Sequence, residues 1–257
     1  MYKFALLGSG IGYTSSPTVH GEVSKALGID ISFEVFDTPV SELDGVVCGL
    51  LSSVDGMFVT KPYKNDIKSY LDAVTTAAGV NVVRCADKTG FNTDGIGFLY
   101  ALDRAFSDWR SKVKGVLVLG AGGAAQSVTE ALVGVGKCVY VLNRDMIAAA
   151  KMCKAFGAEV YFNQPAELVV NCTSAGARGE DILKTLCVSP EFEYAYDLIY
   201  YAETPFMTRT AQAGARVSGG RDMLVYQAIE GEKILTGVEL DTLEVFEKVD
   251  KNLRGKF

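Results

Sequence analysis

The feature that most constrains the fold is a glycine-rich turn between a predicted strand and a predicted helix, in the segment GVLVLGAGGAAQSVTEALVGVG at 115–136. An apolar strand precedes Gly120, Gly122 and Gly123, and an amphipathic helical pattern follows them. The glycines let the backbone turn tightly and approach a ligand, and the start of the helix offers free N–H groups to an anion. This order predicts a doubly wound α/β domain that binds a dinucleotide pyrophosphate at the turn.

The context of the turn favours a nicotinamide dinucleotide as the cofactor. Ala125 takes the third glycine position of the G-x-G-x-x-G fingerprint, where alanine is permitted. The next strand ends in Asn143-Arg144-Asp145, where folds of this class contact the ribose. A flavin, a nucleotide sugar and a turn that binds nothing are the alternatives. The predicted cofactor-binding residues in this region are Gly120, Ala121, Gly122, Gly123, Ala124, Asn143, Arg144 and Asp145.

The first ninety residues alternate short β-branched or aromatic runs with helical patterns. Such alternation predicts a parallel sheet with helices on its faces. A helical run at 94–106 leads to the series that contains the glycine turn, so we predict two α/β domains joined by helices, with a cleft between them. Two C-terminal helices are predicted at 223–234 and 240–253, and periodicity assigns them to neither domain. The strands of the first series are predicted at 3–8, 31–36 and 57–60, with helices at 16–27, at 43–51 and after the third strand.

Charge and histidine content exclude several functional classes. The formal net charge of −6 and the lack of a basic tract argue against nucleic acid or an anionic membrane as a partner. The chain has one histidine, His20, which rules out multi-histidine metal sites. We therefore expect no metal, and a proton carrier among Lys, Asp, Glu or Tyr. His20 lies on the first predicted helix with no obvious partner, so it is predicted to be structural.

The cysteines and the N-terminus predict the cellular compartment. The six cysteines form no Cys-x-x-Cys pair and are predicted to be small buried residues in a reducing compartment. The N-terminal apolar run is too short for a signal peptide, and no stretch reaches the roughly 18 apolar residues of a membrane span. A cytoplasmic location is therefore expected.

Several segments fit no generic sequence rule. In chain order they are GYTSSPTVH (12–20), DGMFVTKPYK (55–64), GVNVV (79–83), GFNTDGIG (90–97), GAGGAA (120–125), NRD (143–145), NCTSAG (171–176), YDLIY (196–200) and GRDMLVYQ (220–227). Together they resemble the shikimate dehydrogenase family. NTDG after a V-T-x-P-x-K block is the most specific part, and the order and rough spacing match over almost the whole chain.

The resemblance implies a fold, a reaction and partners. It implies a substrate domain made of residues 1–93 and 222–257, and a Rossmann-like dinucleotide-binding domain at 94–221. It also implies an oxidoreductase that acts on a CH–OH group in the reversible NADP-linked reduction of 3-dehydroshikimate to shikimate. This reaction belongs to chorismate and aromatic amino acid biosynthesis. The expected partners are the cofactor and a small carboxylic acid, with the protein a monomer or a homodimer.

Residue by residue, the resemblance implies that Lys64 is the catalytic lysine and Asp94 its partner. A lysine can stabilise and protonate the oxygen on which negative charge develops during ketone reduction. Neutral hydroxyl and amide groups suit a sugar-like ring, since each donates or accepts in a fixed direction. The implied contacts are Thr14, Ser16 and Tyr200 to the substrate carboxylate, Thr60, Asn81, Asp94 and Gln227 to ring hydroxyls, and Leu198 and Gly220 to the nicotinamide end of the cofactor.

Four positions depart from the family's pattern. Thr14 replaces the usual first serine of a Ser-x-Ser pair, and Phe58 replaces an asparagine close to the expected substrate pocket. Asp145 replaces the usual threonine, and Ala148 stands where a second basic residue often follows. Only Arg144 then remains for the 2′-phosphate, so we expect a weak preference for NADP and use of NAD as well. Asp145 either caps the next helix or faces the ribose.

Three other functions are compatible with this pattern. The first is a quinate or quinate/shikimate dehydrogenase that uses either dinucleotide. The second is a dinucleotide-sensing protein without catalysis, against which the presence of both Lys64 and Asp94 argues. The third is a folate-type dehydrogenase of similar architecture, which the GFNTDG and GRDMLVYQ blocks do not support.

Overall fold

The computed structural model describes residues 1–12 and 14–254. Within them the chain forms two compact units, one made of Met1–Asp94 with the segment from Val225 onward, and one of Gly95–Leu224. The strands are β1 (Tyr2–Gly8), β2 (Ile31–Asp37), β3 (Gly56–Val59), β4 (Ala73–Val74), β5 (Val82–Arg84), β6 (Thr89–Phe91), β7 (Gly115–Leu119), β8 (Cys138–Leu142), β9 (Glu159–Val160), β10 (Leu168–Asn171), β11 (Tyr194–Asp197) and β12 (Arg216–Gly219). The helices are α1 (Ser16–Leu27), α2 (Leu43–Ser53), α3 (Asp94–Ala105), α4 (Trp109–Lys112), α5 (Gly123–Gly134), α6 (Met146–Phe156), α7 (Ile182–Thr185), α8 (Pro205–Gln212), α9 (Arg221–Thr236) and α10 (Thr242–Leu253).

The sheet of the first unit is mixed. Its strand order is β2-β1-β3-β5-β6-β4. β1 pairs in parallel with β2 and β3, whereas β5 is antiparallel to both β3 and β6. The prediction of a parallel sheet is therefore wrong here, because β5 and β6 are joined by a short 3₁₀ turn at Cys85–Asp87, too short for a crossover helix. A 3₁₀ helix at Asp66–Tyr70 stands where the sequence predicts an α-helix after the third strand.

Apolar side chains cover both faces of this first sheet, which follows from the alternation of residues along β3. Met57 and Val59 pack in one cluster with residues of α2, and Phe58 packs in another with Phe4 and Leu235. Burial on both faces is typical of strands that are covered by helices on each side. The two C-terminal helices, α9 from Val225 onward and α10, belong to this unit.

The sheet of the second unit is parallel throughout, with the order β12-β11-β10-β7-β8-β9. Counted from β7, this is the 3-2-1-4-5-6 order of dinucleotide-binding folds, in which the chain changes direction between the first and fourth strands. The glycine turn follows β7, next to the loop that follows β10. The predicted α/β fold class, with a Rossmann-like domain, is confirmed.

The helices and the cysteines also bear on the sequence-based expectations. In the described residues no helix combines the length and apolarity that a membrane crossing requires. All six cysteines are free, but Cys48, Cys138 and Cys187 are exposed. The prediction of buried cysteines is therefore wrong for these three, because Cys48 and Cys138 lie at surface positions of α2 and β8 and Cys187 lies in the loop after α7.

Candidate active site

Polar residues of the first unit collect at one edge of its sheet. β1 and β3 are parallel, so Thr14 and Ser16 after β1, and Thr60 and Lys64 after β3, follow strands that end at the same edge. Ligands bind beyond the carboxyl ends of strands in open α/β sheets. Asn81 joins this edge, since its carbonyl accepts from the Val59 N–H at 2.8 Å.

Lys64 and Asp94 are in direct contact at this edge. The Lys64 ammonium donates to Asp94 Oδ2, and the two side chains are 16% and 8% exposed. Asp94 Oδ1 accepts from Asn81 Nδ2 at 3.1 Å. β6 runs in the same direction as β3, because both are antiparallel to β5. It therefore ends at the edge where Lys64 lies, and α3 begins there with Asp94. Both carboxylate oxygens of Asp94 are thus engaged, which holds the ammonium in one place.

The orientation of the Asn81 amide follows from its neighbours. The Thr93 N–H donates to Asn81 Oδ1 at 2.7 Å, so the amide nitrogen must face the other way. It faces Asp94, Thr93 Oγ1 at 2.9 Å and Gln227 Oε1 at 3.3 Å. Thr93 Oγ1 also donates to the Gln227 carbonyl at 2.9 Å, which ties α9 to this network. Sequence reasoning missed Thr93, although it lies beside Asp94 in the NTDG motif.

The backbone around Lys64 is fixed by buried contacts. The Lys64 carbonyl accepts from the Val80 N–H at 2.7 Å. The neighbouring Tyr63 is fully buried, and its hydroxyl donates to the Thr38 carbonyl at 2.6 Å. Thr60 is half-buried, and its N–H donates to the Leu7 carbonyl at 2.9 Å. These bonds hold the whole segment after β3 against the sheet.

The two hydroxyls predicted to bind a carboxylate lie together at the start of α1. Thr14 Oγ1 and Ser16 Oγ are 2.9 Å apart, and Thr14 Oγ1 accepts from the Ser16 N–H at 3.2 Å. The N-cap residue Ser15 makes no side-chain cap hydrogen bond. The Asp37 carboxylate accepts from Gly10 and Ile11 N–H groups at 2.7 and 3.0 Å, which fixes the loop before Thr14. The Ser16 N–H is thus engaged and Pro17 has none, so the two hydroxyls are the donors that this helix start offers to an anion.

His20 and Phe58 pack against each other in the interior of the first unit. His20 is 2% exposed, and its Nδ1 is 2.8 Å from Glu232 Oε1, so the expectation that it lacks a partner is wrong. Phe58 is 3% exposed, and its ring lies 4.0 Å from the His20 ring and 5.9 Å from that of Phe4. Alternation along β3 places Phe58 on the sheet face opposite Met57 and Val59. Both faces are buried, so Phe58 has the contacts of a core residue.

In the second unit the glycine turn has the form that a phosphate site needs. Gly120 has a φ of 109°, and a Cβ there would lie 3.0 Å from Thr173 Cγ2. Gly122 is the N-cap of α5, and a Cβ on it would meet nothing within 4 Å. The first N–H groups of α5 therefore lack a side-chain cap and border open space. Such a helix start offers N–H donors and the positive end of the helix dipole to an anion.

The residues after β8 divide into a cap and an exposed cation. Asp145 is the N-cap of α6, and its carboxylate accepts from the Ile147 and Ala148 N–H groups at 2.9 and 3.1 Å. Asn143 Nδ2 donates to the Asp145 carbonyl at 3.1 Å, and Arg144 is exposed. Of the two orientations predicted for Asp145, the structure has the helix cap.

The segment predicted to contact nicotinamide is held by a buried carboxylate. Asp197 is fully buried and accepts from Thr204 Oγ1 at 2.6 Å, from the Ile199 N–H at 3.0 Å and from Asn171 Nδ2 at 3.1 Å. Burial raises the pKa of Asp197 above its usual value. Sequence reasoning missed this residue, although it lies inside the YDLIY segment.

Leu198 and Gly220 lie against each other. A Cβ on Gly220 would lie 2.2 Å from the Leu198 carbonyl oxygen, so a side chain at this position is excluded without backbone movement. Tyr200 is half-buried, and its ring makes an edge contact with the exposed Tyr201 at 5.1 Å.

Comparison with known proteins identifies the family. The family model of the shikimate dehydrogenase substrate binding domain matches residues 6–83. A shikimate dehydrogenase (NADP(+)) from Sulfolobus acidocaldarius is 32% identical, over 94% of this chain and 92% of the relative. The structure of shikimate 5-dehydrogenase from Thermus thermophilus, in complex with NADP(H) and shikimate, matches with a TM-score of 0.83 at 32% identity, covering 98% of this chain and 99% of that one.

A structure of quinate dehydrogenase from Corynebacterium glutamicum in complex with NAD has a TM-score of 0.79 at 24% identity, covering 97% of this chain and 99% of that one. At this identity the likeness shows the fold alone. The Sulfolobus relative, by contrast, matches at higher identity over nearly the full length of both chains. The chain therefore belongs to the shikimate dehydrogenase family.

Proposed function

We propose that this chain is an oxidoreductase that catalyses the reversible NADP-linked reduction of 3-dehydroshikimate to shikimate. The observation that carries the proposal is the contact between Lys64 and Asp94, held by Asn81 at the edge of the first sheet. This is the contact that the family resemblance implies. The Thermus relative, whose structure contains both NADP(H) and shikimate, supports the same substrate and cofactor.

Lys64 is the proposed acid and base. In the reductive direction its ammonium lies at the ketone oxygen, stabilises the negative charge that develops there and transfers a proton to it. In the oxidative direction the neutral amine accepts the hydroxyl proton. Asp94 keeps Lys64 in place through Oδ2, and we assign it a further contact with a neighbouring ring hydroxyl. A positioned acid or base of this kind contributes typically 10²–10⁴-fold to the rate.

We assign substrate binding to the first unit, with the carboxylate at the start of α1. The Thr14 and Ser16 hydroxyls donate to it, and the positive end of the α1 dipole favours a negative charge. Ring hydroxyls are assigned to Thr60, Asn81 and Gln227, whose neutral groups donate and accept in fixed directions. Tyr200 lies in the second unit, and its role in carboxylate binding stays a prediction.

The second unit fits a nicotinamide dinucleotide, and we assign its domain that role. The open start of α5 and the turn glycines suit a pyrophosphate. We assign the nicotinamide end to Leu198 and Gly220, whose backbones are in close contact. The bound cofactor supplies the hydride. Arg144 is the cation assigned to the 2′-phosphate. Since Asp145 adds a negative charge beside it, we infer that NADP is preferred only weakly over NAD.

The free thiols of the chain support a reducing compartment, and we propose the cytoplasm as its location. We propose a monomer or a homodimer, which light scattering on a size-exclusion column distinguishes directly.

A spectrophotometric panel tests the proposed function. Shikimate and quinate are each incubated with NADP and with NAD, and the absorbance of the reduced cofactor is followed. The highest kcat/KM is expected for shikimate with NADP. A higher value for quinate would assign the chain to the alternative dehydrogenase, and absence of turnover with all four pairs would favour the sensing protein.

A further inference from the structure

A buried polar cluster joins α1 to α9 and takes no part in the proposed chemistry. His20 Nδ1 lies 2.8 Å from Glu232 Oε1, and Ser24 Oγ lies 2.8 Å from Glu232 Oε2. The three residues are 2%, 3% and 0% exposed for His20, Ser24 and Glu232 respectively. Phe33 and Phe58 pack against the His20 ring, with ring centroids 4.5 and 4.0 Å away. The cluster therefore lies inside an apolar region of the first unit.

Stability alone does not account for ionisable groups at this place. Removing a histidine and a glutamate from water costs free energy that their mutual attraction often fails to recover. Well-packed apolar residues of similar volume are commonly neutral or stabilising at such positions. Apolar side chains pack without a preferred direction. Two hydrogen bonds from α1 to the Glu232 carboxylate, in contrast, fix the rotation and the offset of α1 relative to α9.

Both helices carry predicted substrate ligands a short distance from the cluster. Ser16 lies one helical turn before His20 on α1, and Gln227 lies five residues before Glu232 on α9. Gln227 in turn accepts from Asn81, which donates to Asp94. The backbones of α1 and α9, joined by the hydrogen bonds to Glu232, thus connect Ser16 to Gln227 and through it to the Lys64 network.

We propose that Glu232, together with His20 and Ser24, is a positioning group that sets the separation between the carboxylate-binding hydroxyl of Ser16 and the Lys64 and Asp94 pair. The inference rests on the proposed function. A shikimate-type substrate has its carboxylate and its reacting hydroxyl at a fixed distance, and a small displacement of one anchor costs binding and alignment. Glu232 acts through Ser16 and Gln227 and does not touch the substrate.

The test separates positioning from folding by comparing two replacements. The variant His20→Leu/Glu232→Met replaces the pair with apolar groups of similar size, and Glu232→Gln retains both hydrogen bonds, because its amide can accept from His20 and donate to Ser24. The apolar variant should raise the KM for shikimate about fivefold or more with little change in Tm or in the KM for NADP. Glu232→Gln should restore the shikimate KM to within about twofold of the parent.

A double-mutant cycle tests whether the apolar variant raises the shikimate KM through Ser16. The KM penalty of the apolar variant should largely disappear in a Ser16→Ala background, because the displaced hydroxyl is then already absent. Asn252→Ala is the matched control, since Asn252 donates to Glu22 at 3.0 Å and ties α1 to α10 instead. It should leave the shikimate KM unchanged.

An unchanged shikimate KM in the folded apolar variant, or penalties that add fully with Ser16→Ala, would overturn the inference. Should the apolar variant not fold, Ser24→Ala decides, with a KM increase of about twofold or more expected and no increase contradicting it. Turnover of shikimate by the unaltered protein is measured first. Its absence would reject the proposed function, whereas turnover with unaffected variants would reject only the positioning role.

Discussion

At the scale of single residues, the candidate site is ordered by one amide. Asn81 cannot rotate its side chain without losing the bond from the Thr93 N–H, so its nitrogen stays directed at Asp94. A ring hydroxyl that accepted from the Asn81 nitrogen would therefore compete with its present acceptors. The bond to Gln227 Oε1, at 3.3 Å, is the longest of these and the one that a hydroxyl would replace most readily. If these residues bind the substrate as we propose, the site is organised before the substrate arrives, which lowers the cost of aligning it.

Ser16 is expected to carry much of the carboxylate binding. A hydrogen bond to an ionised group contributes about 1.5–3 kcal/mol, so Ser16→Ala should raise the KM for shikimate roughly tenfold or more. Steady-state kinetics with each substrate varied in turn measure this. Ser15→Ala is the control, because Ser15 makes no side-chain cap hydrogen bond. If Ser16→Ala moved only the KM for NADP, the assignment would be wrong.

Asp145 is expected to weaken the preference for NADP through its charge. Asp145→Thr retains a side-chain oxygen that can cap α6 while removing the negative charge next to Arg144. The ratio of kcat/KM for NADP to that for NAD should increase severalfold in this variant. An unchanged ratio would mean that Asp145 is only the helix cap seen in the structure.

At the scale of elements, the approach of α9 to β3 requires a glycine. A Cβ on Gly231 would lie 2.6 Å from Phe58 Cε1, whereas one on Gly49, within α2, would meet nothing within 4 Å. Gly231→Ala should lower the free energy of unfolding by about 1–3 kcal/mol because a buried ring must shift. Gly49→Ala should raise it by about 0.5–1 kcal/mol, since alanine is the better helix former. Urea denaturation compares them, and equal effects would contradict this packing.

Acid sensitivity is expected at the contact between α4 and β12. Hydrogen bonds from Lys112 and Arg216 lower the pKa of Asp108 to about 2. A depressed pKa means that the stabilisation is present above roughly pH 4, the usual range for aspartate, and is lost as the pH falls towards 2. The Tm difference between the parent and Asp108→Asn should therefore shrink from pH 5 to pH 2.5. A constant difference over that range would refute the assignment.

At the scale of the whole molecule, local signals predicted the elements well. The sequence predicts the first helix at 16–27, and α1 spans Ser16–Leu27, because Pro17 suits a helix start and Gly28 adopts the left-handed conformation that ends it. The glycine turn between β7 and α5 also lies where the pattern puts it, since strand, turn and helix are adjacent in the chain.

Features that depend on distant residues were not predictable in the same way. The antiparallel β5 and β6 are three residues long, too short for a periodic pattern to reveal their direction. The partner of His20 lies 212 positions away, with no local signal. Thr93 and Asp197 were missed because each acts by holding another residue, while the residue types of Lys64 and Asp94 and their motifs could be matched one by one.

The central claim is that Lys64 transfers the proton to and from the substrate oxygen. Turnover of shikimate with NADP by Lys64→Ala tests it most directly, with cofactor binding followed by fluorescence and Lys61→Ala, exposed in the same loop, as the control. Lys64→Ala should lower kcat roughly a hundredfold or more while binding NADPH as the parent does, and Lys61→Ala should be unaffected. A decrease of less than about threefold in Lys64→Ala would contradict the claim, because a positioned acid and base contributes far more than that.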